Sequence, residues 1–287
     1  MKKIRLDQLV FARGLTPSRE RARTSIMAGL VFVNGQKETK PGSAFREDVE
    51  ITLKGEAVPY VSRGGLKLEK ALRVFPLDLR GAVCADCGAS TGGFTDVMLR
   101  SGAKRVYAID VGYGQLAWQL RQDERVVCME RTNIRYVTAE QLGERVDFAS
   151  MDLSFISLRL VLPAVYGLLR DRGQAVCLVK PQFEAGKEKV GKKGVVRDAA
   201  VHEEVLSAFL GFSGEAGFAL RGLDFSPIRG PEGNIEYLAW LEKDGSDPVS
   251  PDIPALVEAS HRFHEKEESG SWKDTSCSAP IPTGIWD

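Results

Sequence analysis

The 287-residue sequence has few of the features that define secreted, membrane-spanning or metal-binding proteins. Its five cysteines are odd in number and widely spaced, which does not form a disulfide framework in a chain of this length. Cys84 and Cys87 have redox- or zinc-pair spacing, but neither a second pair nor a nearby histidine completes a zinc site. No apolar run approaches the length of a membrane span, and the charged first residues do not resemble a signal peptide. We therefore predict a cytoplasmic protein with core cysteines and without membrane or metal partners.

Histidine is also scarce, which bears on the chemistry. His261 and His264 lie beyond Asp244, where Ser, Pro, Lys, Glu and Asp predict a flexible tail over residues 244–287. Residues 253–261 could form a short helix within that tail. Only His202 remains in the body of the protein, so a mechanism that depends on a histidine base is poorly supported.

Residues 1–60 contain more basic than acidic residues and predict a helix, a basic helix and a short hairpin in succession. The first helix opens at Arg5, the second runs from Arg19 to Ala28, and Asn34-Gly35 predicts a tight hairpin turn. Residues 1–60 resemble the S4-type RNA-binding domain in three sequence motifs: Arg-Leu-Asp, Ser-Arg and Gly-x-Val-x-Val-Asn-Gly. A small α/β cap with a solvated basic helix is the alternative. The residues predicted here to contact RNA are Arg5, Arg19 and Arg23.

From residue 61 to residue 243, apolar strand-like runs alternate with helical patterns. This alternation predicts an α/β fold, a mostly parallel sheet covered by helices on both faces. Only the segment Pro227–Asn234 separates the last two strands, so the last strand should run antiparallel to its neighbour. The order resembles the Rossmann-like sheet of class I methyltransferases. The candidate strands are Ala82–Cys87, Arg105–Asp110, Arg125–Glu130, Val146–Asp152, Gln174–Lys180, Leu220–Ser226 and Ile235–Leu241.

A glycine-rich turn follows the first of these strands, with G-x-x-x-G-G spacing instead of the G-x-G-x-x-G of a dinucleotide site. Asp86, before the turn, would suit a positively charged amino group, and Asp110, at the next strand end, would bind both hydroxyls of a ribose. These features predict S-adenosylmethionine as the cofactor, and a tight turn without a ligand is the alternative. The predicted cofactor-binding residues are Asp86, Gly88, Ser90, Thr91, Gly92, Gly93, Phe94, Asp110 and Asn133.

Charged residues also occupy the strand ends at which open α/β sheets bind their ligands. Asp152 ends the fourth strand, Lys180 ends the fifth, and Glu236 begins the antiparallel last strand, so all three should meet at one edge. Lys67 lies on the helix before the first strand and can cross this edge. Such a set suits a weak nucleophile such as a ribose hydroxyl, because an ammonium group favours its alkoxide or accepts its proton. Taken alone, each of these residues could equally form an ordinary ion pair at the protein surface.

The order Lys67, Asp152, Lys180, Glu236 resembles the tetrad of the FtsJ-type RNA 2′-O-methyltransferases, and several phrases resemble the TlyA subfamily. The resemblance covers residues 1 to about 243. It implies S-adenosylmethionine-dependent 2′-O-methylation of cytidine in ribosomal RNA, with ribosomal subunits as partners. The phrases that carry it are Val61–Gly64, Gly88–Phe94, Asp110–Leu116, Asp152–Ser157 and Lys180–Glu184.

A glycine-rich basic segment follows Lys180 and is predicted to lie over bound RNA as a flexible loop, with an ordinary solvated loop as the alternative. The sequence leaves three alternative functions: a pseudouridine synthase, a non-catalytic ribosome-assembly factor and a membrane-active haemolysin. The first needs no cofactor turn, and no membrane-spanning segment supports the third. The cations predicted to neutralise phosphates in the segment are Lys187, Lys189, Lys192, Lys193 and Arg197.

Overall fold

The computed structural model describes residues 3–16, 18–27, 29–53 and 59–268. The predicted end of the second helix at Ala28 and the last part of the predicted tail, residues 269–287, lie outside the described residues. We call residues 3–53 the N-terminal module. Its elements are β1 Lys3–Arg5, α1 Leu6–Ala12, α2 Arg19–Met27, β2 Val31–Val33, β3 Gln36–Glu38, β4 Ala44–Arg46 and β5 Ile51–Leu53.

The N-terminal module has its own small core. Strands β3, β2 and β5 form one antiparallel sheet, and β1 pairs with β4 in another. Asn34 and Gly35 both have positive φ angles, 49° and 77°, which suits the tight turn predicted between β2 and β3. Apolar side chains of α1 and α2, including Leu6, Val10 and Ile26, pack on the sheet and are fully buried.

The remaining elements form an α/β sheet with helices on both faces, as the sequence predicted. In the described residues its strand order is β11-β12-β10-β9-β6-β7-β8, and β12 alone runs opposite to the other six strands. The strands are β6 Val83–Cys87, β7 Arg105–Ile109, β8 Val126–Met129, β9 Val146–Met151, β10 Leu169–Val179, β11 Phe218–Phe225 and β12 Tyr237–Lys243. The helices are α3 Gly65–Val74, α4 Gly93–Arg100, α5 Trp118–Arg121, α6 Ala139–Leu142, α7 Leu162–Leu168, α8 Pro181–Glu184, α9 Ala199–Glu215 and α10 Ile253–Glu268.

Two apolar clusters cover the two faces of the sheet. On one face, Leu162 and Leu168 of α7 and Phe209 of α9 are fully buried. On the other face, Leu68 of α3 and Met98 of α4 are fully buried. Each such side chain contributes roughly 1.5–3 kcal/mol on leaving water, so both helical layers are held firmly against the strands. Helices α3 and α4 are thereby fixed beside the carboxyl ends of the parallel strands.

The helix that the sequence allowed within residues 253–261 is present as α10, but it continues to Glu268 and is packed, so the prediction of a flexible tail is wrong for this part of the chain. This helix packs against α9 and β11, and Val257, Ser260 and His264 are completely buried. Ser260 Oγ lies 3.1 Å from Tyr237 Oη, and a ring nitrogen of His264 lies 3.2 Å from the Ser226 carbonyl oxygen. The buried residues recur at three- and four-residue spacing, which is one face of a helix, but the polar residues around them hid that pattern.

Candidate active site

The sheet topology brings three of the predicted residues to one edge. Asp152 directly follows β9 and Lys180 directly follows the parallel strand β10. Glu236 directly precedes β12, whose first residue, Tyr237, pairs with Val179 in the antiparallel ladder. Lys180 and Glu236 therefore lie side by side, although the chain runs in opposite directions through them.

Lys67 joins this group from α3, whose first turn lies over the same edge. Its Nζ lies 2.6 Å from Glu236 Oε2 and 3.2 Å from Asp152 Oδ2. Lys180 Nζ lies 2.5 Å from the other Asp152 oxygen and 3.4 Å from Ser154 Oγ. We call these four residues, Lys67, Asp152, Lys180 and Glu236, the tetrad. The structure brings them together as a chain of alternating charges, and their catalytic role stays a prediction.

The charges of the tetrad are strongly coupled because little water reaches them. Lys67, Lys180 and Glu236 are each exposed by no more than 6%. Burial alone would raise the pKa of Asp152, but the ammonium groups of Lys67 and Lys180 outweigh it and lower that pKa to about 2. Burial likewise opposes the charge of Lys67, and the carboxylates of Asp152 and Glu236 overcome this, so the pKa of Lys67 is raised. Lys67 therefore stays cationic and is suited to stabilise negative charge, not to accept a proton.

The glycine-rich turn between β6 and α4 lies directly beside the tetrad. Gly88, Ser90 and Gly92 have positive φ angles of 88°, 47° and 95°, so the turn is sharp. A Cβ on Gly88 would lie 2.8 Å from the Asp152 carbonyl oxygen. A Cβ on Gly93 would overlap Ser62 Oγ. The glycines thus allow the turn to approach both β9 and the segment before α3.

Asp110 and Asn133 lie at neighbouring strand ends. The Asp110 carboxylate accepts hydrogen bonds from the Ser90 amide at 2.8 Å and the Gly112 amide at 2.6 Å. It therefore lies against the glycine-rich turn, where the sequence placed it. Asn133 caps a short 3₁₀-helix by accepting a hydrogen bond from the Arg135 amide at 3.1 Å. Asp110 and Thr132 are joined by a backbone hydrogen bond, which brings the loop after β8 beside the turn.

Asp86 does not lie where the sequence analysis expected it. Its side chain is buried beneath the turn, where Oδ2 accepts hydrogen bonds from the Thr95 amide and hydroxyl at 2.9 and 2.6 Å. Oδ1 accepts one from Ser150 Oγ at 3.0 Å. With both oxygens engaged inside the protein, Asp86 has no free edge for the amino group of a ligand. The structure therefore does not support the predicted direct contact, and Asp86 ties α4 to β9.

We expect Asp86→Asn to change the pH dependence of stability. Burial raises the pKa of Asp86 to about 6, and its hydrogen bonds only partly offset this. Because the folded-state pKa is raised, the stabilisation by the neutral carboxyl is full below about pH 4 and lost as pH rises through about 6. Two pKa units correspond to about 3 kcal/mol. The wild type should therefore lose about 3 kcal/mol more than the variant in free energy of unfolding between pH 4 and pH 7.

Urea unfolding of both proteins at several pH values measures this difference. Asparagine stays neutral throughout and can still accept a hydrogen bond from Thr95, so it serves as the reference. A difference between the two proteins that is constant with pH would contradict the assignment.

A cavity of about 670 Å³ opens over the tetrad and the turn. Of the predicted cofactor residues, Gly88, Ser90, Thr91, Gly93 and Phe94 line it, together with all four tetrad residues. Gly92 lies in the same turn, packed close to Leu116 and Leu120. Several other residues that were not predicted also line the cavity, notably Ser62, Arg63, Arg229 and the N-terminal residues Lys37 and Thr39.

An aromatic pair beside the tetrad, exposed Phe155 and half-buried Phe183, was also missed. Phe155 is 92% exposed and has a φ angle of 63°, a conformation that a bulky residue rarely adopts. Its ring lies 5.1 Å from that of Phe183. Glu184 holds this loop by accepting hydrogen bonds from Ser157 Oγ at 2.6 Å and the Leu158 amide at 2.8 Å. The positive φ angle and the exposure of Phe155 together are the features that single it out, and neither can be read from the sequence.

The predicted RNA-binding residues of the N-terminal module face a second cavity, of about 640 Å³, between the module and α5. Arg5 and Arg19 each lie 3.0 Å from the fully buried carboxylate of Asp7. Arg23 is exposed on α2. Trp118, two-thirds exposed, lines the same cavity.

The basic segment after α8 is anchored instead of being flexible as expected. Asn234 accepts a hydrogen bond from the Val196 amide at 3.0 Å and donates one to the Gly194 carbonyl at 2.9 Å. Lys189 is paired with Glu204 at 2.5 Å, so this cation is already neutralised. The predicted cations of the segment that are exposed are Lys187, Lys189, Lys192, Lys193 and Arg197.

No helix in the described part of the chain is long and apolar enough to cross a membrane. Within residues 3–268, leaving aside the gaps given above, no cluster of histidine, cysteine and carboxylate side chains could hold a metal ion.

Comparison with known proteins matches residues 60–243 to the FtsJ-like methyltransferases and residues 4–51 to the S4 domain. YqxC of Bacillus subtilis, which bears the name of an rRNA methyltransferase, is 51% identical over 93% of this chain and 98% of its own. The 16S/23S rRNA (cytidine-2′-O)-methyltransferase TlyA of Mycobacterium tuberculosis is 44% identical over 91% of this chain and 97% of its own. A solved structure from Streptococcus thermophilus, named a hemolysin, is 51% identical, covers 94% of this chain and 99% of its own, and has a TM-score of 0.76. The chain therefore belongs to the FtsJ-like methyltransferases, and within them to the TlyA family that carries an S4 domain.

Proposed function

We propose that this protein methylates the 2′-hydroxyl of a cytidine ribose in ribosomal RNA, with S-adenosylmethionine as the methyl donor. The observation that carries the proposal is the tetrad, two buried lysines alternating with two carboxylates beside a glycine-rich turn. The substrate follows the activity for which the Mycobacterium tuberculosis relative is named, and that relative is 44% identical over 91% of this chain.

The turn and its surroundings fit S-adenosylmethionine. Helix α4 begins at Gly93, and the first amides of a helix have no partner within the helix, so a carboxylate is favoured there. The Asp110 carboxylate lies at the adjacent strand end, where it would hold the ribose hydroxyls. When bound, S-adenosylmethionine supplies a methyl group on a positively charged sulfur. Gly88, Ser90, Thr91 and Gly93 would hold it, with Asn133 near the adenine and Asp86 acting only by shaping the turn.

The tetrad would prepare the RNA hydroxyl. A ribose hydroxyl is a weak nucleophile, and two ammonium groups in a site with little water favour its alkoxide strongly. In the proposal, Lys180 contacts the hydroxyl as its proton acceptor or as the charge that stabilises the alkoxide. Asp152 orients Lys180 through the 2.5 Å contact, and Glu236 holds Lys67 at 2.6 Å. Positioning of the hydroxyl in line with the methyl group should supply much of the rate.

The RNA would be held by the S4 domain and by the exposed cations near the site. Arg5, Arg19 and Arg23 line one cleft, and the exposed cations of the anchored basic segment lie beyond α8. Phosphate contacts of this kind raise the affinity for RNA without selecting a nucleotide sequence. The exposed face of Phe155 would offer a surface on which a base can stack.

We expect Asp110→Ala to weaken the binding of S-adenosylmethionine by about 100-fold, because hydrogen bonds to a charged group are each worth roughly 1.5–3 kcal/mol. Isothermal titration calorimetry measures the dissociation constant directly. Asp78→Ala, at an exposed aspartate that pairs only with Arg80, is the matched control and should leave the constant unchanged. Equal affinity of the two variants would argue against a ribose contact at Asp110.

The test of the whole proposal is incubation of hypomethylated ribosomal subunits with radiolabelled S-adenosylmethionine and the purified protein. We expect label in ribosomal RNA at a ribose 2′-oxygen of cytidine, identified by nuclease digestion and mass spectrometry. Cofactor binding without any transfer of label would point to a non-catalytic RNA-binding factor. Leakage of lipid vesicles without labelling would favour a membrane-active protein.

A further inference from the structure

The S4 domain forms part of the wall of the catalytic cavity. Met27, Gly29, Lys37 and Thr39, all from the N-terminal module, line the same cavity as the four tetrad residues. Helix α2 is fixed to the segment that leads into α3, because Arg21 donates hydrogen bonds to the carbonyl oxygens of Pro59 and Tyr60. The cavity is thus built by two parts of the chain that fold around separate cores.

Lys37 is the cation that the S4 domain contributes to this cavity. It lies on β3 of the hairpin, and its aliphatic end crosses Gly29, where a Cβ would lie 2.6 Å from Lys37 Cε and 3.2 Å from its Nζ. Gly29 also has a φ angle of 70°, so a side chain there would be disfavoured both by the backbone conformation and by overlap with Lys37. In the described part of the chain the Lys37 ammonium forms no ion pair, unlike Lys67 and Lys180.

The charge balance of the cavity explains why this cation matters. Five cations and three carboxylates line it, which leaves a surplus of two positive charges. The tetrad holds two of each and is neutral as a unit, so the surplus comes from Lys37, Arg63 and Arg229 against Glu232. A neutral tetrad has no net attraction for a polyanion. The cations around it must supply that attraction, and phosphate contacts by lysine and arginine do so in RNA-binding proteins.

We propose that Lys37 is a positioning residue for the reaction: its ammonium binds a phosphate of the RNA strand next to the target nucleotide. This inference rests on the proposed function. The S4 domain then does more than tether the enzyme to RNA, because one of its own side chains fixes the register of the strand over the tetrad. The neighbouring cleft that holds Arg19 and Arg23 shares Met27 and Thr91 with the catalytic cavity, so one strand can run along both.

The test compares full-length Lys37→Ala with wild type in steady-state methylation of hypomethylated ribosomal subunits. We expect the KM for subunits to rise about tenfold, the affinity for S-adenosylmethionine to stay unchanged, and the salt dependence of RNA affinity to become shallower by about one unit of slope. Lys37→Arg, which keeps the charge, should restore KM to within threefold of wild type. Lys104→Ala, which removes an exposed lysine just before β7 at the opposite edge of the sheet, is the matched control and should have no effect.

A KM for Lys37→Ala equal to that of Lys104→Ala would overturn the assignment while leaving the proposed function intact. A wild-type protein that does not label subunits would overturn the proposed function and this inference with it. A Lys37→Ala protein that also loses cofactor affinity would likewise overturn the inference, because the effect would then come from altered packing against Gly29 instead of a phosphate contact.

Discussion

Replacement of Lys180 by alanine is expected to lower the rate of methyl transfer by about 10³-fold. The Lys180 ammonium lies 2.5 Å from Asp152 at the floor of the cavity and is exposed by only 6%. Its charge would therefore act on the bound hydroxyl with little screening by water. The measurement is single-turnover transfer of label from S-adenosylmethionine to ribosomal RNA.

The fold and the cofactor site should survive this change. Asp152 keeps its second partner, because Lys67 Nζ still lies 3.2 Å from its other oxygen. Affinity for S-adenosylmethionine and the far-ultraviolet circular dichroism spectrum should therefore match wild type. If Lys180→Ala transferred label as fast as wild type, the tetrad assignment would be rejected.

The second large effect is expected for Asp152→Asn, which should lower kcat by about 100-fold with little change in cofactor affinity. Asp152 is the only tetrad residue that contacts both lysines. An amide in its place leaves two ammonium groups with one carboxylate, so the group gains a net positive charge and the lysines repel each other. The orientation of Lys180 toward the hydroxyl would then be lost, although its charge remains.

The experiment measures kcat and the free energy of unfolding of the same preparations. Removing one partner of a buried ion pair costs on the order of 3–5 kcal/mol, so activity is compared at a temperature where both proteins are folded. Asp123→Asn is the matched control, because Asp123 pairs with Arg125 at the surface. Activity of Asp152→Asn within threefold of the control would be inconsistent with a role for Asp152 in orienting Lys180.

The sequence located the turn and three of the four tetrad residues through strand order. Asp152, Lys180 and Glu236 lie one residue beyond or before strands whose apolar runs are visible in the chain. Once those strands are placed in a parallel sheet with one antiparallel member, their ends must meet at one edge. The family resemblance supplied the substrate, and it named Lys67, whose position strand order alone could not fix.

The sequence misjudged residues whose surroundings come from distant parts of the chain. Asp86 looked available for a ligand because nothing near it in sequence shows that Thr95 and Ser150 enclose its carboxylate. The sequence allowed a short helix at residues 253–261 but not its packing, because the buried face of α10 needs α9 and β11 as partners. The basic segment looked mobile because the hydrogen bonds of Asn234 that anchor it come from beyond β11.

By itself the sequence determined which elements form and where the strand ends lie, because hydrophobic periodicity and turn chemistry act over a few neighbouring residues. The tertiary structure decided which side chains meet: Lys67 with Glu236, Asp86 with Ser150, and Lys37 with the catalytic cavity. These contacts join elements far apart in the chain, and their geometry depends on how separately formed layers and domains pack. The local sequence pattern carries no information about that packing, so only the tertiary structure shows that the S4 domain lines the cavity over the tetrad.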